Sequence, residues 1–227
     1  MGFWRRLYGE RAHPDTYFRR PRHLRGDANT LTEQWGEYRG ETVCLRRSTS
    51  SLHQWHVCND RVWPASHGPY VIDGKLTVDT SATLTIEPGS VVKFGLDGSN
   101  TNQTKWLEVK GELVAEGTAQ DSVVFTSIRD DAYGGDTNGD GSETSPSADD
   151  WDYIVFDEGS GIISHAVVRY GGENNLFNYD GPTDDDDTGM IFVDDSAPTI
   201  TDSRITDGLH AGIEVDGGQP LIEKNRL

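Results

Sequence analysis

A repeat limits what this chain can fold into. Residues 191–205 (IFVDDSAPTITDSRI) laid over residues 213–227 (IEVDGGQPLIEKNRL), an offset of 22, agree at six of fifteen positions: Ile191/Ile213, Val193/Val215, Asp194/Asp216, Pro198/Pro220, Ile200/Ile222 and Arg204/Arg226. An earlier copy aligns at an offset of 37. It pairs Ile154 with Ile191, Phe156 with Val193, Asp157 with Asp194, Ile163 with Ile200 and Val168 with Ile205, so 15 extra residues fall near 172–186. A unit of 22 residues is too short for a propeller blade and cannot bury its own apolar side. It becomes stable by stacking on copies of itself, which makes a solenoid. The Leu/Asn ladder and helical side of a leucine-rich repeat are absent, so each turn is built from short strands.

From residue 64 onward, runs rich in Val, Ile, Leu and Thr alternate with Gly, Pro, Asn and Asp: 75–78, 83–87, 91–94, 107–109, 112–115, 123–126 and 153–156. These are strand and turn signals with no convincing amphipathic helix between them. The expected fold is all-β, a right-handed parallel β-helix over 64–227 with long insertions at about 128–150 and 172–187. Ile191, Val193, Ile200, Ile213, Val215 and Ile222 are expected inside. Residue 227 falls in mid-pattern with no polar cap after it, so the helix is expected to be incomplete at the C-terminus, with further coils or domains in a longer polypeptide.

Charge divides the chain at the same place. Residues 1–63 hold eleven Arg, no Lys and seven acids, a balance of +4. The other residues hold nine bases and 31 acids, a balance of −22, for −18 in all. So acidic a body repels phosphate backbones, which excludes nucleic acid as its expected partner and favours cations. No run of about 18 apolar residues is present to span a membrane, and no secretory signal is visible at the N-terminus. Residues 1–63 carry four of the six Trp and show no sustained period, so no fold is assigned to them.

Gly68-Pro-Tyr-Val-Ile-Asp-Gly74 followed by Ala82-Thr-Leu-Thr-Ile-Glu-Pro-Gly-Ser-Val-Val-Lys-Phe94 resembles the opening coil of secreted bacterial right-handed parallel β-helix repeat proteins, of the pectate-lyase-like superfamily. Leu107-Glu-Val-Lys-Gly-Glu-Leu-Val-Ala-Glu-Gly-Thr118, Val124-Phe-Thr-Ser127 and Val168-Arg-Tyr-Gly-Gly172 continue the pattern. The resemblance covers about residues 63 to 227 and is specific for fold. It implies an extracellular or cell-surface location and a polysaccharide or cell-surface glycan as partner. The architecture hosts lyases, hydrolases, adhesins and spacers alike, so the activity has to come from the site. The expected function is a β-helix module for adhesion, spacing or glycan binding. A polysaccharide lyase or glycoside hydrolase is the alternative.

Several clusters carry possible chemistry. Asp136, Asn138 and Asp140 followed by Gly141 fit D-x-N-x-D-G, the first half of a calcium loop, where alternate oxygens converge on a hard cation. Ser142 would offer its carbonyl, and Ser147 stands where a bidentate acid would close the shell. Glu143, Asp149 or Asp150 would have to replace it. Ca2+ is therefore the expected cofactor, weakly held. Asp180 with Asp184–Asp187 reads as a solvated charge run before a second cation site. Asp194, Asp195 and His210 are weak catalytic candidates, because glycoside hydrolysis needs two carboxyls about 5–9.5 Å apart. Asp194 recurs as Asp157 and Asp216, however, which marks a coil corner, as Arg204 recurring as Arg226 marks surface spacing. His165 has no evident partner. Cys44, His53, His56 and Cys58 offer zinc-type ligands at no common zinc spacing, and a local disulfide or two thiols is the plainer expectation.

Overall fold

The computed structural model describes residues 34–38, 41–45, 54–95, 105–174 and 187–227. An antiparallel hairpin, β1 (Gln34–Tyr38) and β2 (Glu41–Leu45), precedes the coils. The first coil is β3 (Gln54–Val57), β4 (Arg61–Trp63) and β5 (Tyr70–Ile72). The second is β6 (Lys75–Val78), β7 (Thr83–Ile86) and β8 (Val91–Phe94). The third is β9 (Trp106–Val109), β10 (Glu112–Glu116) and β11 (Val123–Ser127). The fourth is β12 (Ile154–Asp157), β13 (Ser160–Ser164) and β14 (Ala166–Arg169). A short antiparallel pair, β15 (Glu173–Asn174) and β16 (Asp187–Thr188), closes the base of the second insertion. The fifth coil is β17 (Ile191–Asp194), β18 (Thr199–Thr201) and β19 (Arg204–Thr206), and the sixth is β20 (Ile213–Asp216) and β21 (Leu221–Glu223).

These strands stack into three parallel sheets. The first face is β3-β6-β9-β12-β17-β20, the second β4-β7-β10-β13-β18-β21 and the third β5-β8-β11-β14-β19. The architecture is a parallel β-helix. All pairs of the sequence repeat but Pro198/Pro220 are backbone pairs in space: Ile154, Ile191 and Ile213 lie side by side, as do Phe156, Val193 and Val215, Asp157, Asp194 and Asp216, Ile163, Ile200 and Ile222, and Val168 and Ile205. Arg204 bridges to Arg226. The first coil begins at Gln54, so β3 and β4 belong to the solenoid and its start lies before the boundary at 63/64 read from composition.

Alternation explains the core. In Thr83–Ile86, Leu84 and Ile86 point inward and are buried, while Thr83 and Thr85 line the outside. Side chains at the same height on each coil form one continuous column from Trp63 and Tyr70 to Ile205. Trp63 and Tyr70 stack at 4.5 Å near one end, and Phe94 stacks on Trp151 at 4.3 Å. Ile191, Val193 and Ile200 are buried as expected. Val215 and Ile222 keep the inward register but are 45% and 39% exposed, because they form the outer layer of the last coil. Among the described residues no helix is long and apolar enough to cross a membrane.

The corners of the fourth to sixth coils use left-handed residues. Glu158, Asp195 and Gly217 turn the chain from first to second face at φ 54°, 42° and 80°. His165, Asp202 and Lys224 do so from second to third, and Tyr170 and Asp207 follow the third. Asp and Gly tolerate this region best. Ser203 and Asn225 fill the second corner from inside. Ser203 N donates to Asn225 Oδ1, and Ala166 N donates to Ser203 Oγ.

Candidate functional site

Residues 128–150 fold back over the outside of the third face, where Lys93, Thr126 and Arg169 stand at one height on successive strands. Lys93 is fully buried, and its ammonium donates to the Gly135 carbonyl at 2.7 Å. Burial pushes its pKa down, against the pull of Asp130, Asp131 and Asp136. Asp130, also buried, accepts from Thr126 Oγ1 at 2.6 Å and lies 3.7 Å from Arg169 Nε. Arg169 in turn lies over the rings of Tyr133 and Tyr170. No run of apolar residues marks this interface, and sequence reasoning missed Lys93.

Within that loop the D-x-N-x-D-G segment is closed by its own hydrogen bonds. Asp136 accepts from the N–H groups of Gly139, Asp140 and Gly141. Asp140 accepts from those of Ser142, Glu143 and Thr144, and from the Thr144 hydroxyl and the Asn138 amide. The Thr144 hydroxyl leads the causes that hold the Asp140 carboxyl below its usual range. Asn138 and Asp140 are thus joined side chain to side chain, Asp136 caps the N–H groups just before Ser142, and Ser142 turns at φ 75°. Asp150 is committed elsewhere: its oxygens take Ser127 Oγ at 2.5 Å, Ser147 N at 3.1 Å and Arg129 Nη1 at 2.5 Å. Asp149 is exposed in a left-handed turn. Among the described residues no three His, Cys, Asp or Glu side chains stand together as a metal-holding group. Two carboxylates, an amide and a carbonyl are the donors the loop offers. Asp180 and Asp184–Asp186 lie outside the described residues.

Asp194 and Asp195 close the first face at its junction with the second. Burial pushes the Asp194 carboxyl above its usual range, and Asp157, Asp195, Asp216 and Glu158 add to it. Asp157 is held by Lys110. His210 precedes β20, beside Gly172 at the opposite edge of the first face. The three weak catalytic candidates are therefore not brought together. His165 is a left-handed corner residue whose N–H donates to Thr201 O. Cys58 is disulfide-bonded, and Cys44 is the only other cysteine in the chain. His56 donates or accepts at Asp79 Oδ1, 2.8 Å away, and His53 lies outside the described residues. Cys58 therefore offers no free thiolate for zinc.

At the same corner, one to three coils earlier, lies a groove of about 400 Å³ lined by Ser81, Thr83, Lys110, Glu112, Glu158 and Ser160 among others. It draws on three coils at unequal spacing, which is why no local motif announced it. Comparison with protein-family models, curated proteins and solved structures finds no match to this chain.

Proposed function

We propose that this chain is an extracellular or cell-surface β-helix module that spaces and presents a glycan-binding surface, with a calcium-stiffened loop on its third face. The carrying observation is that its acids recur by coil, Asp157–Asp194–Asp216 and Glu158–Asp195, along a corner. Charges repeated at each turn suit a scaffold that meets an extended partner, whereas catalysis needs unlike groups converging on one bond. The disulfide at Cys58 supports an oxidising location. The DxNxDG loop, whose backbone already wraps Asp136 and Asp140, supports calcium through the oxygens of Asp136, Asn138, Asp140 and Ser142.

The raised Asp194 carboxyl beside other acids favours a second reading, a glycoside hydrolase or lyase, since paired carboxyls with separated pKa values divide acid and base roles. One experiment separates the two. The full chain is incubated with insoluble and soluble polysaccharides, with and without calcium, and both retention and new reducing or unsaturated ends are measured. Retention without cleavage is expected. Cleavage abolished by Asp194→Asn would replace the module reading with the enzymatic one, and neither retention nor cleavage would overturn both.

A further inference from the structure

The corner groove has an unusual floor. A Cβ at Gly111 would stand 2.2 Å from Asp79 O and 2.3 Å from Ala82 O, and one at Gly159 would stand 2.1 Å from Val109 O. Of the two, Gly111 lines the groove, and the second coil approaches it too closely for any side chain, so bare backbone forms that part of the floor. The walls come from three coils: Ser81 and Thr83 from the second, Lys110 and Glu112 from the third, Glu158 and Ser160 from the fourth. With coils about 4.8 Å apart, the trough runs about 10 Å along the solenoid axis.

Its chemistry narrows the occupant. Two carboxylates and the chain's net charge of −18 oppose an anion. Lys110 opposes a metal ion, since its ammonium already serves Asp157 and lies 3.7 Å from Glu108. Apart from Ala82, no apolar side chain lines the walls, so an apolar ligand would strip water from polar groups with nothing in return. A neutral polyol matches every wall. Its hydroxyls donate to Glu112 and Glu158 and accept from Lys110 and from Ser and Thr hydroxyls. Thr83 Oγ1 already donates to Glu112 Oε2 at 3.1 Å, so this carboxylate is oriented toward the trough's hydroxyl wall.

We propose that this trough binds a neutral, linear, hydroxyl-rich glycan lying parallel to the solenoid axis. The inference rests on the reading of the chain as a glycan-binding module and names its site and ligand class. Without an aromatic platform, affinity comes from hydrogen bonds exchanged with water, and a Kd on the order of 1 mM follows.

The test titrates the full chain with cellohexaose, xylohexaose, mannohexaose and, as a charged arm, hexagalacturonate, following amide NMR shifts. Saturable shifts at residues 80–83, 110–112 and 158–160 with at least one neutral hexaose are expected. Ser81→Trp puts a bulky ring at an exposed wall position, and Glu112→Gln with Glu158→Gln weakens the acceptors while keeping their shape. Each is expected to weaken binding by about tenfold or more, the value of one to two good hydrogen bonds. Arg204→Ser, on the third face, is expected to change nothing, and unchanged melting temperatures show that all variants fold. Neutral hexaose binding that ignores the groove variants would overturn this site and leave the module reading standing. Binding of hexagalacturonate alone would overturn the ligand class. No binding of any hexaose at ~20 mM, some twentyfold above the Kd of ~1 mM, would overturn the inference and the module reading together.

Discussion

Asp194 stands between Asp157 and Asp216 in a column of carboxylates about 4.8 Å apart. Lys110 neutralises only the Asp157 end. Burial and like charges raise the Asp194 pKa, so the folded state holds this proton more tightly than the unfolded chain. Stability linked to it is full below the ordinary carboxylate value of 3.8 and is lost as pH rises through the higher folded value. Asp194→Asn is therefore expected to stabilise the chain at pH 7 by about 0.5 kcal/mol, the scale of a cross-strand like-charge contact. The gain should shrink to nothing below pH ~3.8, the unfolded carboxyl value. Melting temperatures of both proteins across pH 3 to 8 check this, and a gain that does not depend on pH would disprove the charge account. Lys93 shows the opposite economy. Its desolvated ammonium is held by the Gly135 carbonyl and faced by Asp130, Asp131 and Asp136. Lys93→Met keeps the stem but leaves these groups without their cation, so a loss of about 3 kcal/mol is expected in urea unfolding. A neutral outcome would show that Arg169 alone satisfies Asp130.

At the scale of elements, the 128–150 insertion combines what was legible in the sequence with what was not. Its DxNxDG spacing announced a tight turn closed by Asp136 and Asp140, because an Asx-rich turn is a local property of consecutive residues. Its docking on Lys93 was hidden, since one lysine in a strand reads as solvent-facing, and burial comes from chain about forty residues away folding over it. The strands of the last three coils were legible because Ile, Val and Asp recur at offsets of 37 and then 22, the first being the second plus an insertion. The first coil was not. In Gln54–Val57 and Arg61–Trp63, aromatic and polar residues replace the Val/Ile alternation, so composition masked the register. For the loop, the calcium proposal predicts a rise in melting temperature only at millimolar levels, because the closing acid is missing and such sites have a Kd of about 10⁻⁴–10⁻³ M. At a few times Kd the gain is about 1 kcal/mol. Asp136→Ala with Asp140→Ala removes acceptors for six backbone N–H groups, so this variant starts lower with or without calcium. The calcium response is therefore the readout. Equal responses in the two proteins would show that the loop is a hydrogen-bonded turn only.

The whole molecule behaves as a one-dimensional stack, in which each coil is stabilised by its neighbours on either side. Coils three and four have both neighbours, and their inward side chains Leu113, Phe125, Phe156 and Val168 are fully buried. The sixth coil has β17 and β18 on one side, and Val215, Leu221, Ile222 and Leu227 are 45%, 48%, 39% and 70% exposed. It contributes less burial than the entropy cost of ordering its residues demands, so it opens without the rest of the stack. The second face reaches that end through Leu221–Glu223, which pairs only with Thr199–Thr201, while Thr199–Thr201 also pairs with Ile162–Ser164. Protection against amide exchange should thus fall stepwise along the axis: highest in β10 and β11, lower in β18, lowest in β20 and β21. Local opening of the last coil should cost a few kcal/mol less than global unfolding, a difference of at least about a hundredfold in exchange rate. The first coil, whose own Trp63 and Tyr70 stack at 4.5 Å, should exchange more slowly than the sixth. Exchange measured on the monomeric chain at low concentration decides it. Uniform protection from β7 to β21 would mean that the stack unfolds as one unit and that nearest-neighbour coupling is too strong for any coil to open alone.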